Sequence, residues 1–181
     1  MHNQKYPTTV ILLNSSHIHT PLGTMIAIAD EKALYLLEFT NRKNIDKQLQ
    51  QLQIKTNATI IPGKNNILDL VERELKLYFA GKLKNFSVLV HFSGTPFQQK
   101  AWSALQAVPY GHTYSYAQEA AIIGDKNACR AVANANSVNK IAIVVPCHRI
   151  IKTNGDLCGY AGGLERKQWL IEHEKNNTLS Q

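Results

Sequence analysis

Apolar and polar positions along this chain follow two different periods. Near the N-terminus the period is short. Residues 9–13 form an apolar run of strand length. Residues 24–29 and 34–39 are two further β-rich runs on either side of Asp30, Glu31 and Lys32, which predicts a hairpin. The intervening His17 and His19 fall in a stretch that reads as a loop. The period then lengthens. Residues 42–54 predict a polar helix. Residues 66–79 predict a stronger one, because Ile67, Leu70, Val71, Leu75 and Tyr78 recur at helical spacing and Gly81 ends the pattern. Residues 86–90 read as extended.

The pattern changes again at Ser93 and Gly94, where the sequence places a domain boundary. Thr95, Pro96 and Gln98 form a helix start: a capping residue, Pro at the first helical position and a capping-box partner. This predicts a helix over 96–107, closed by Pro109, Tyr110 and Gly111. Ser115 and Gln118 repeat the capping-box spacing and predict a short helix over 116–123, ended by Gly124. Asp125 is the expected cap of a helix over 126–136. Two short helices joined by a Gly-containing turn fit a helix-turn-helix, and equally a plain pair of packed helices. Residues 141–145 are a buried-type apolar run, and a last helix is expected over 164–175 with Leu164, Trp169 and Leu170 facing inward. The expected fold class is α/β (α+β). A small N-terminal α/β domain (residues 1–92) precedes a mostly helical C-terminal domain (residues 93–181) with a winged-helix-like helix-turn-helix.

Charge adds a partner class. The net charge is +7 over 181 residues, which suits an anionic partner such as nucleic acid. Between residues 126 and 155 stand Lys126, Arg130, Lys140, Arg149 and Lys152 with no acidic residue. No apolar stretch is long enough for a membrane span, and the N-terminal residues do not read as a secretory signal. The three cysteines, Cys129, Cys147 and Cys158, are odd in number and form no CxxC pair, so reduced thiols in a cytoplasm are expected. His17 and His19 lack further ligands nearby, so no metal is expected.

Cys147 is the candidate nucleophile. It follows five apolar residues and Pro146, which places it at the end of a buried, rigid segment. His148 is adjacent and can accept a proton, Arg149 adds positive charge, and Glu174 on the last helix offers a carboxylate to orient the imidazole. Sequence neighbours rarely face each other, so a proton path from Cys147 to His148 needs backbone curvature or a water. Cys129 and Cys158 read as structural, Trp102 and Trp169 as core, and Arg149 as a bridge between the two domains.

The run from Val145 to Ile150, Val-Pro-Cys-His-Arg-Ile, resembles the active-site signature of the methylated-DNA–protein-cysteine methyltransferases, also called O6-alkylguanine-DNA alkyltransferases. Residues 94–98, Trp102, Tyr110, Gly111, residues 114–116, residues 130–132, Asn139, Lys140, Gly159, Tyr160, Gly162 and Gly163 are similar to the family in order and spacing. The resemblance is strong over residues 93–175 and general over the first ninety. It implies a single-use reaction: an alkyl group moves from O6-alkylguanine in double-stranded DNA to Cys147 after the base is flipped out, without a cofactor. O4-alkylthymine stands as an alternative lesion.

By this resemblance His148 is the base through a bridging water and Glu174 orients it. Asn139 holds the turn that presents the pocket, and Tyr116 donates a proton to the leaving guanine. Arg130 inserts into the duplex and Tyr160 lines the base pocket. Ser115, Asn134 and Thr153 are the further DNA-binding candidates. A monomer is expected. Two departures from the family pattern are Ala161, where some members carry Ser, and Ala133-Asn134 in place of a Gly-containing small pair. Three rivals remain at this level: a lesion binder without chemistry, a Cys-His hydrolase and a transcription factor. The first is opposed by Cys147 itself. The second leaves Arg130 and the helix pair without purpose, and the third leaves residues 146–149 without one.

Overall fold

The computed structural model describes residues 10–179. Its N-terminal half is a four-stranded sheet in the order β3-β2-β1-β4, built from β1 (Ile11–Thr20), β2 (Gly23–Ala29), β3 (Leu34–Phe39) and β4 (Ala58–Pro62). The expected hairpin is β2–β3, which pairs antiparallel. Asp30 closes its turn by accepting from the backbone of Lys32 and Ala33. The first strand is longer than its apolar run. It continues through His17 and His19, which pair with Ile26 and Thr24 of β2. These histidines therefore lie in a strand, because ladder hydrogen bonds outweigh their weak β preference. Thr9, the first residue of that expected run, lies outside the described residues.

β4 was not anticipated. It pairs parallel with β1 after the helix α1 (Ile45–Thr56), a crossover that local pattern does not announce. The helix α2 (Asn66–Phe79) then packs across the sheet, with Asn65 as its N-cap. Its buried face is turned slightly from the expected stripe: Leu68, Val71, Leu75 and Tyr78 are inside, and so is Glu74. That carboxylate accepts from the backbone of Ser87 and Val88 and from the Ser87 hydroxyl, which meets the need of a buried charge for donors.

The second half is largely helical. Thr95 and Gln98 make the predicted capping box of α3 (Pro96–Gln106), and Ser115 and Gln118 make that of α4 (Tyr116–Ile122). The next helix, α5 (Cys129–Ser137), starts three residues later than expected. Its N-cap is Ala128, with no side-chain cap. Asp125 instead holds the preceding turn by accepting from the Asn127 amide. Gly124 makes that turn possible with φ of +83°. Trp102 ties α3 to α5 by donating to the Ala135 carbonyl at 2.9 Å.

A short 3-10 helix (Cys147–Arg149) leads into β6 (Ile150–Ile151), which pairs parallel with β5 (Tyr114–Ser115). The chain closes with α6 (Leu164–Leu179). Leu170 is buried and Trp169 packs on the core, but Leu164 is 48% exposed. Lys167, one turn before Leu170, takes an inward place that the apolar pattern had assigned to Leu164. One core joins the two halves: Phe39, Val71 and Tyr78 cluster with Trp102, Ile141, Val145 and Leu170. The edge strand β3 also accepts a late segment, with Leu37 bridging Ile141. Among the described residues no helix is long and apolar enough to cross a membrane.

Candidate functional site

The apolar run 141–145 is buried throughout, and it is a tight coil rather than a strand. Val145 donates to the Ile141 carbonyl at 3.0 Å and Val144 to that of Ala142 at 2.8 Å. Ile143 sits at φ of +70°, a conformation that costs a β-branched residue roughly 1–3 kcal/mol. Burial of its neighbours holds it there. The coil delivers Cys147 to the start of the 3-10 helix.

The half-buried Cys147 meets Asn139, whose Nδ2 lies 3.2 Å from the sulfur. Asn139 is itself held at three points. Nδ2 also donates to the Val145 carbonyl at 2.9 Å, and Oδ1 accepts from the Ile141 amide at 3.0 Å. Its backbone carbonyl accepts from Arg42 at 2.9 Å. Burial pushes the Cys147 thiol up to about 11, against the pull of the Asn139 hydrogen bond. Arg149, read from sequence as a charge favouring thiolate, is turned elsewhere, so the resting sulfur is a neutral thiol at pH 7.

Arg149 forks onto Glu174, with Nε to Oε2 at 2.9 Å and Nη2 to Oε1 at 3.0 Å. Its remaining arm donates to the Val108 carbonyl at 2.6 Å. These hydrogen-bond partners lie in the C-terminal half, and Arg149 shares a cavity wall with Lys84, Asn85 and Phe86 of the N-terminal half. Glu174 links the halves by hydrogen bond, because Tyr78 of α2 donates to Oε1 at 2.8 Å. With His148 Nε2 at 2.8 Å and the Gly111 amide at 3.0 Å, Glu174 collects five hydrogen bonds among the described residues. Burial opposes its charge, yet the hydrogen bonds from His148 and Arg149 and the Arg149 charge hold its carboxyl well below the ordinary range.

His148 is fully buried, and burial holds it below its ordinary 6.5 although Glu174 works the other way. A neutral imidazole facing a carboxylate must carry its proton on Nε2. That leaves Nδ1 as the proton acceptor. Nδ1 is buried and makes no hydrogen bond among the described residues.

Tyr116 and Tyr160 pack on the same core cluster as Cys147. Burial first, and then the Cys158 hydrogen bond, raise Tyr116 above its ordinary 10. Its hydroxyl accepts from Cys158 Sγ at 3.6 Å. Tyr160 is raised by burial and by the negative charge that Cys147 would carry. Both phenols are proton donors at neutral pH.

The remaining sequence candidates sit on α4, α5 and a turn. Arg130 and Asn134 are exposed on α5 and Thr153 on the turn after β6. Ser115 is buried, and its hydroxyl accepts from the Gln118 amide as the α4 cap.

Lys167 escaped the sequence reading. Its buried Nζ donates to the Ile150 carbonyl and, at 2.6 Å, to that of Cys158, so it ties both ends of the 150–158 segment to α6. The signal was its spacing of three from Leu170, overruled by its charge. Among the described residues no cluster of three or more His, Cys, Asp or Glu side chains could hold a metal.

Two family models cover most of the chain. The ribonuclease-like domain of 6-O-methylguanine DNA methyltransferase matches residues 13–92, and the DNA binding domain of the same family matches 96–176. A methylated-DNA–protein-cysteine methyltransferase of Methanosarcina barkeri is 39% identical over 88% of this chain and 96% of its own. The Salmonella typhimurium protein of that name is 40% identical over 91% and 97%. A crystal structure of Mycobacterium tuberculosis OGT in complex with DNA superposes with a TM-score of 0.77 at 37% identity, covering 92% of this chain and 94% of that one. The Cys147–Asn139 contact and the Cys147-His148-Arg149 turn thus stand in a chain similar to these proteins over nearly its whole length, and the chain belongs to the family of methylated-DNA–protein-cysteine methyltransferases.

Proposed function

We propose that this protein repairs alkylated DNA by direct reversal, moving the alkyl group from guanine O6 to its own Cys147 once per molecule. The observation that carries this reading is the poised pair at the 3-10 helix. Cys147 sulfur is held by Asn139, and the neighbouring His148 is a neutral imidazole with its free nitrogen unengaged. The thiol proton passes to His148 Nδ1 through one bridging water, as general-base catalysis by a positioned imidazole allows. The sulfur attacks the alkyl carbon, the new C–S bond forms and the C–O6 bond breaks with its electron pair moving into the guanine ring. Tyr116 gives its proton to the departing base, and the proton held by His148 then returns to the Tyr116 phenolate, so the site ends neutral. Glu174 stabilises the imidazolium that results. The thioether is inert, so each molecule acts once.

The target atom lies inside a duplex, and flipping the base out costs roughly a few kcal/mol, less at a damaged pair. We assign Arg130 on α5 to the vacated space, and Tyr160 to the wall that receives the base. The exposed Asn134 and Thr153 take backbone contacts, with α4 and α5 acting as a helix-turn-helix, while Ser115, buried as the α4 cap, supports them from inside. Such contacts position the protein without reading sequence. The boundary between the DNA-binding half and the N-terminal half is placed at residues 92/93. The three free thiols suit a reducing compartment, and we place the protein in the cytoplasm.

Intact-protein mass after incubation with duplex DNA carrying O6-methylguanine tests this reading. One methyl group per protein is expected, located on the peptide containing Cys147, with guanine restored in the DNA. Tight lesion binding with no mass change would replace it with a lesion-binding role. In the same assay Arg130→Ala should slow repair of duplex DNA by about tenfold or more while leaving reaction with free alkylated guanine unchanged. Equal losses on both substrates would remove Arg130 from base extrusion.

A further inference from the structure

The Asn139 amide that meets the reacting sulfur is held by the N-terminal half from two sides. On one side β3 pairs with the segment after Asn139. Leu37 donates to the Lys140 carbonyl at 2.8 Å, and Ala142 donates to the Leu37 carbonyl at 2.8 Å. On the other side is Arg42, from the turn that follows β3. Its Nη1 donates to the Asn139 carbonyl and its Nη2 to the Ser137 carbonyl, each at 2.9 Å. The Ser137 carbonyl is the last of α5 and the Asn139 carbonyl lies just past its C-cap, where a cation is favoured by unpaired acceptors and by the helix dipole. Glu38, buried on β3, pairs with Arg42 Nη1 and accepts from the Phe39 amide. The guanidinium is therefore fixed by a carboxylate behind it and by two carbonyls in front.

Resting on the alkyl-transfer reading above, we propose that Arg42 is a positioning residue for that reaction: it sets the Asn139 amide against the Cys147 sulfur. Among the described residues Arg42 makes no hydrogen bond to the sulfur, and it acts through Asn139. The fork matters as much as the charge, because two carbonyls two residues apart are held by two N–H groups of one rigid plane. A lysine keeps the charge and reaches only part of that geometry. Loss of the fork frees Asn139 to turn from the sulfur, and a misplacement of about 1 Å at such a site can cost roughly a hundredfold in rate.

The test uses the full chain as Arg42→Ala, Arg42→Lys and the double variant Glu38→Gln with Arg42→Gln. The double variant removes both buried charges together, so it folds where a lone Glu38 would not tolerate the loss of its partner, and it leaves little net change of charge near the sulfur. Two quantities are read on folded protein, as judged by circular dichroism. One is the pH profile of Cys147 modification by iodoacetamide, followed on its own peptide. The other is the methyl-transfer rate from O6-methylguanine duplex, with affinity for undamaged duplex as the control.

The expected result is a pH profile displaced upward and a transfer rate lowered about tenfold or more, in both Arg42→Ala and the double variant. Arg42→Lys recovers part of each, and DNA affinity stays unchanged. A role in stability alone leaves the pH profile and the rate of folded protein where they are in wild type, and that result overturns the proposal. Absence of transfer in wild type would instead overturn the alkyl-transfer reading. In that case the iodoacetamide profile still decides whether Arg42 positions the Asn139 amide at the sulfur.

Discussion

Replacing Glu174 by Gln lowers the stability of the folded protein by about 3–5 kcal/mol, the cost of leaving one member of a buried ion pair unpartnered. The carboxylate answers donors from four places: Tyr78 on α2, the Gly111 turn, His148 and the two arms of Arg149. A carboxamide has one acceptor oxygen, and its NH2 group faces N–H donors. Arg149 then keeps its charge in a buried site with the Val108 carbonyl as its remaining partner in that network.

Urea unfolding at pH 7.5 measures this directly. A loss below about 1 kcal/mol would place the pair in the class of surface ion pairs and refute the reading. Because the Glu174 carboxyl lies well below its ordinary 4.5, its contribution is present above pH 4.5 and fades as the pH falls further. At temperatures where the variant stays folded, His148 competes with Arg149, Tyr78 and Gly111 for one acceptor oxygen, so its proton is held on Nε2 less firmly. Methyl transfer should then slow by at least about a hundredfold, the usual scale for general-base catalysis.

Replacing Glu119 by Gln stabilises the protein, and does so increasingly as the pH rises. Glu119 is fully buried between α4 and α5, where its Oε2 accepts from Asn136 Nδ2 at 2.7 Å. Its Oε1 and the Asn136 Oδ1 are buried and make no hydrogen bond among the described residues. Two orphan acceptors in one pair are what a single added proton relieves, by turning Oε1 into a donor. Burial pushes this carboxyl up to about 7, the Asn136 bond working against it. Tyr116, three residues back on α4, is the titratable neighbour that feels its charge.

The folded value exceeds the unfolded 4.5, so the folded form is favoured fully below pH 4.5 and loses that advantage as the pH climbs to about 7. The span of about 2.5 units corresponds to about 3 kcal/mol at 1.36 kcal/mol per unit. Gln offers the same shape, an acceptor for Asn136 Nδ2 and a permanent donor for Oδ1. Unfolding free energies at pH 5 and pH 8 should therefore differ little between wild type and variant at the lower pH. At the higher pH they should favour the variant by about 3 kcal/mol. An equal gap at both values would show that Glu119 does not titrate in this range.

These groups divide what was legible in the sequence from what was not. The contact between His148 and Glu174 was readable, because the motif around Cys147 is contiguous and Glu174 falls on the expected last helix. The capping boxes at Thr95 and Ser115 were readable too, since a cap is satisfied within three residues. The α5 start was misjudged because Asp125 found a nearer turn amide. β4 was missed because a parallel strand is made by its distant partner β1.

The local pattern specified the hairpin, the helices and the chemistry that a thiol beside an imidazole can perform. Tertiary structure alone decided which charges are buried and what each one holds. Lys167 looks like a solvent residue until Ile150 and Cys158 present their carbonyls to it. Arg42 looks like a loop charge until α5 ends against it, 95 and 97 residues further along. A buried polar group is stable only with partners, and here the partners come from distant parts of the chain, where no short-range pattern records them.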